Sequence, residues 1–185
     1  MIFCSFFQRL YIPTFLYRTN NYITTVNSIL FRMIVSVEVL VFHLDQDSLK
    51  WRCLKENTKE NVHPDETALQ LVLGSGDNEP MLPKSICHST SWRYENNEII
   101  LTYAFLPDPN PLLPSCPLHA VGTIKTSMDP LRPSPPNIDG DNVAAHAVLH
   151  LAELARRDPI VKAQSFFYPD LWQSIAQYSE HTLTQ

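Results

Sequence analysis

The stretch His88–Pro109 constrains the fold more than any other part of the chain, because Asn96-Asn97 stands between two runs of alternating residues. Asparagine tolerates the left-handed backbone that a two-residue hairpin turn needs at both central positions. Folding on that pair sets Glu95 against Glu98, Tyr94 against Ile99, Trp92 against Leu101, Thr90 against Tyr103 and His88 against Phe105. Side chains alternate across a strand, so this register gathers aromatic and branched residues on one face. Ser89, Ser91, Arg93, Ile100, Thr102 and Ala104 fall on the other.

The flanking segments supply further elements. Val35, Val37, Val39 and Val41 recur at every second position of Ile34–Leu44, the period of a strand with one buried face. A four-residue loop, Asp45 to Ser48, joins it to a second strand, Leu49–Leu54, and the two make a hairpin. Pro64-Asp65-Glu66 suits the start of a helix through Leu73, although Thr67–Leu73 fits a strand equally well. Gly74-Ser75-Gly76 ends the segment and lacks the third glycine of a dinucleotide fingerprint. Five prolines between 107 and 117 favour a rigid crossover, with a proline-motif ligand as the alternative. Leu118–Thr126 reads as a fifth strand and Asp129–Pro136 as a second proline-rich connection. Asp141 is the expected N-cap of a helix over 142–157, because Pro159 forces Asp158 out of helical geometry. A last helix opens at Pro169-Asp170. The expected fold is a single α+β domain at 33–185. Its antiparallel sheet has about five strands, including two hairpins, with two carboxyl-terminal helices on one side.

Charge and cysteines exclude several classes. The three charged residues of 1–32 are Arg9, Arg18 and Arg32, which leaves 11 basic against 19 acidic side chains in the remainder, a net of −8. Such an acidic body repels phosphate backbones, so no nucleic-acid partner is expected. Cys4, Cys53, Cys87 and Cys116 form no Cys-x-x-Cys pair, which argues against a thiolate zinc site and a disulfide framework and for a reducing, cytoplasmic setting. Residues 1–32 hold eight of the nineteen aromatics. Their polar breaks suit neither a secretory signal nor a transmembrane helix. They read as an extension: a start codon placed upstream of Met33, a disordered segment, or a membrane-surface segment. Membrane contact is expected only in that last case.

Two groups of side chains carry chemistry. On the 142–157 helix, His146, His150, Glu153 and Arg157 line one flank at helical spacing. A His-x-x-x-His pair can grip a divalent ion such as zinc or manganese, with Glu153 as third ligand or general base and His88 or Asp139 assisting. The plain alternative is a solvated flank with Glu153 paired to Arg157. On the hairpin, Ser89, Ser91, Arg93 and Thr102 make a polar face for a small anionic ligand or a partner protein's carboxylate, with Arg93 as a bidentate fork. The alternative there is an Arg93 paired internally. A serine nucleophile is not expected, since Ser89 and Ser91 lack a Gly-x-Ser-x-Gly elbow. Cys87 and His88 are neighbours on a strand and point apart.

His-Ser-Thr-Ser-Trp-Arg at 88–93, Leu-Thr-Tyr at 101–103, Asp-Pro-Leu-Arg-Pro at 129–133 and His-Ala-Val-Leu-His-Leu-Ala at 146–152 together resemble a group of bacterial proteins without an established activity. The resemblance spans about 34–175 and implies no site. The element order is also similar to that of a Nudix-type α+β domain. The glutamate-rich metal motif of that family is missing, so the likeness implies at most a non-hydrolytic relative. The functional expectation is a cytoplasmic, non-catalytic binding, regulatory or accessory module that needs no cofactor. The alternative is a metal-dependent hydrolase built on His146 and His150.

Overall fold

The computed structural model describes residues 34–74, 84–119 and 138–183. The segment 1–32, residues 120–126 of the expected strand and the 129–136 connection lie outside them; Leu118-His119, the expected start of that strand, is not strand, and the pairing falls at Cys116–Pro117. The described elements are β1 (Ile34–Asp45), β2 (Ser48–Asn57), α1 (Pro64–Leu73), β3 (Ile86–Glu95), β4 (Glu98–Leu106), β5 (Cys116–Pro117), α2 (Gly140–Arg157), α3 (Pro159–Ser165) and α4 (Pro169–Leu183). They form an α+β fold around one five-stranded sheet of order β3-β4-β1-β2-β5.

The sheet is mixed, and three described helices rather than two follow β5, which corrects the expectation of an antiparallel sheet with two carboxyl-terminal helices. β1 pairs with β4 in parallel, from Ile34↔Glu98 to Val41↔Phe105, while β1–β2, β2–β5 and β3–β4 are antiparallel. The cause is the crossover through α1: the chain leaves the β1–β2 hairpin, spans one sheet face as a helix, and returns with β4 rather than β3 beside β1. That position makes β1 the central strand. Ser36 to His43 are all buried, so its valines mark a strand covered on both faces, not on one.

Both hairpin turns need positive φ. Asp45 pairs with Ser48, so the first loop is the two residues Gln46-Asp47 rather than four, with Gln46 at φ 54. Asn96 and Asn97 sit at φ 49 and 65, the geometry that a type I′ turn requires. The β3–β4 register runs as expected from Glu95↔Glu98 to Trp92↔Leu101 and Ser91↔Thr102, and then shifts. A bulge at Thr90 leaves Ser89 opposite Tyr103 and His88 opposite Ala104. One extra residue exchanges the faces of every side chain beyond it.

Capping sets the helix limits. His63 caps α1 by accepting the Asp65 amide, which resolves the 64–73 segment as helix. Asp139, not Asp141, caps α2: its carboxylate accepts the Asn142 amide at 2.8 Å, so the helix begins before 142. α2 ends at Arg157 because Pro159 cannot continue it. Asp158 then caps the short α3, accepting the Ile160 and Val161 amides.

Two apolar clusters flank the sheet. Val37, Val39, Val41, Tyr103 and Phe105 meet Ala68 and Val72 of α1. Leu40, Phe42, Ala104 and Leu106 meet Ala147, Val148 and Leu151 of α2 and Leu171, Trp172 and Ile175 of α4. Each fully buried large side chain contributes about 1.5–3 kcal/mol of burial. The start of α2 lies close on Trp51: a Cβ built at Gly140 would stand 2.7 Å from the indole ring.

Candidate functional site

The bulge at Thr90 decides which groups meet. It turns His88 onto the face shared with Ala104, towards α2, where the Nε2 atoms of His88 and His150 stand 3.2 Å apart. The ring planes differ by 18° and the centroids are 5.3 Å apart, so the rings meet edge to edge. Burial depresses the pKa of both. At His88 the charges of Asp158 and Asp65 oppose that depression, and at His150 the neighbouring His88 and His146 add to it. Both rings are therefore neutral near pH 7, and one Nε2–H can donate to the other.

The remaining groups of the expected helix site are arranged differently. His146 is exposed. Glu153 is engaged by its own helix, with Arg156 at 2.7 Å and Arg157 in contact. Among the described residues, no three His, Cys, Asp or Glu side chains are grouped to hold a metal ion.

The expected hairpin face is assembled in part. Ser91, Arg93 and Thr102 share one face, but the bulge places the exposed Ser89 opposite Tyr103, on the other. Arg93 donates Nη1 and Nη2 to the two Glu38 oxygens at 2.8 Å each, Nη1 to the Thr102 hydroxyl at 3.2 Å and Nε to Glu95 at 3.3 Å. Hydrogen bonding to Glu38 raises the Arg93 pKa against the opposing effect of burial. An anion can use this fork only by displacing Glu38. Sequence reading missed Glu38, whose signal was a lone acid within the valine run of β1. It also missed the bidentate pair of Arg52 and Asp108, 2.7 Å at each contact, with Asp108 further accepting the Asn110 amide at 2.8 Å.

Thiol chemistry is not favoured at β3. Cys87 pairs with Phe105 on the face opposite His88, and burial together with the Asp65 charge pushes its pKa up to about 12. A cleft of about 190 Å³ between α2 and α4 is lined by Ala152, Ala155, Trp172 and Ile175, and Arg156, the one charged wall residue among the described residues, is paired with Glu153.

The outer side of the hairpin is more open. β3 is the last strand of the sheet, and among the described residues no strand pairs with its free edge. Trp92 is 62% exposed and Tyr94 54%, both on the face that carries α1. The Tyr94 hydroxyl donates to Asn97 Oδ1 at 2.8 Å, which fixes the ring beside the turn. No helix among the described residues is long and apolar enough to cross a membrane. No protein-family model, curated protein or solved structure matches the chain.

Proposed function

We propose that this protein is a non-catalytic binding module that recognises an extended segment of a partner protein along β3. The observation that carries the reading is the pair of exposed aromatics, Trp92 and Tyr94, on an outermost strand. An unpaired strand edge offers backbone donors and acceptors to an added strand. Tryptophan and tyrosine supply contact area at little entropic cost, and they dominate binding energy at interfaces. The bulge at Thr90 interrupts the lower edge, which leaves Ser91 to Glu95 as the regular part. Arg93, clamped between Glu38 and Glu95, holds that part in place. The net charge of −8 over residues 33–185 favours an occupant that alternates apolar and basic residues.

Selection from a library of extended ten-residue peptides tests this reading. Binders of about micromolar affinity should emerge with that alternation, and Trp92→Ala/Tyr94→Ala should weaken them at least tenfold without moving the thermal midpoint appreciably. Binders that tolerate the double substitution would contradict it. Self-association abolished by the same substitution would identify a second copy as the occupant instead of a heterologous segment.

A further inference from the structure

We propose that Nε2 of His88 and Nε2 of His150 form a site for a borderline divalent transition ion, with zinc the natural probe, linking β3 to α2. This site is independent of the strand edge and differs from the helix pair His146/His150, since half of it comes from the sheet. Two imidazole nitrogens sharing a tetrahedral zinc at about 2.0–2.1 Å stand about 3.3 Å apart. The observed separation is 3.2 Å. The centroids lie 5.3 Å apart while the nitrogens are 3.2 Å apart, so the two Nε2 edges face one gap instead of stacking ring on ring.

Neutral imidazole is the ligating form, and the half-buried setting of both rings disfavours the cation that would compete with metal. A hydrogen bond between the two Nε2 atoms in the metal-free pair requires one ring to carry its proton there. Moving that proton to Nδ1 of the same ring frees both lone pairs without changing the net charge. Imidazole suits zinc, copper and nickel, whereas magnesium and calcium prefer oxygen ligands. Among the described residues no third His, Cys, Asp or Glu completes the group.

The test is titration of zinc into the untagged, metal-free full chain in competition with a chromophoric chelator. One equivalent should bind, His88→Ala and His150→Ala should each weaken it at least tenfold, and His146→Ala should change it less than threefold. His88→Ala is the decisive variant because it leaves the i, i+4 helix pair intact. Unchanged affinity in that variant overturns the assignment, as does a loss in His146→Ala equal to that in His150→Ala. A second reading uses the wild-type chain alone: long-range proton–nitrogen NMR should show the Nε2 signals of two histidines moving together on zinc addition. No paired movement would equally overturn it.

Discussion

Arg93 and Glu38 hold each other through two hydrogen bonds of 2.8 Å, with side chains only 15% and 9% exposed. Removing one partner of such a buried pair leaves an uncompensated charge, at a cost of about 3–5 kcal/mol. Arg93→Ala should lower the chemical-denaturation midpoint accordingly, while Arg93→Leu/Glu38→Leu should recover most of the loss. Equal destabilisation in both would show that the pairing is not what matters. Asp108 is a second case. Burial pushes its pKa up, but the hydrogen bonds from Arg52 and the Asn110 amide outweigh that and hold it below the usual carboxylate range. Its contribution is therefore complete above the unfolded pKa, about 3.9, and is lost as pH falls through the lower folded value. The histidines act in a higher window. Burial lowers the pKa of His43, His88 and His150, so below about pH 6.5 the unfolded chain binds protons that the fold resists. The thermal midpoint should fall between pH 7.5 and 5.5, and a flat or rising profile would contradict this. The pairings themselves were not legible in the sequence: Glu38 lies 55 positions from Arg93 and Asp108 lies 56 from Arg52, separations that no local spacing rule reaches.

At the scale of elements, local chemistry was readable wherever one residue dictates geometry. Asn96-Asn97 specified the turn, Pro159 the end of α2 and Pro169 the start of α4. The bulge at Thr90 was not readable, because Ser-Thr-Ser carries no glycine and alternates as well in one register as in the other. That single residue separated Ser89 from Arg93 and brought His88 to His150, so the candidate sites were legible as residue types and not as groupings. Asp139 and Asp141 are both sound caps by type, and packing chose between them. The first turn of α2 rests on Trp51, and Gly140→Ala would place a methyl group 2.7 Å from that ring. Overpacking of this kind costs about 1–3 kcal/mol. Gly140→Ala should therefore lower the thermal midpoint, and Trp51→Leu should relieve part of the loss in the double variant. An unchanged midpoint in Gly140→Ala would mean that α2 is free to slide on the sheet.

At the scale of the whole molecule, the α+β class followed from strand patterns ahead of helical ones, but the mixed topology did not. Strand order depends on which edge the α1 crossover delivers the second hairpin to, and nothing in Ile34–Leu44 distinguishes a central strand from a flanking one except the density of its branched residues. The consequence for function is that β3 lies at an open margin with Trp92 and Tyr94 exposed, while among the described residues β2 is paired on its outer side only at Lys50 and Trp51. Backbone amide hydrogen exchange across β3, with and without a selected extended peptide, tests that reading most directly. Strand addition predicts new protection at the amides of Ser91–Glu95 that face away from β4, with little change in β1 or β2. Peptide binding that leaves those amides as exchangeable as before would contradict it.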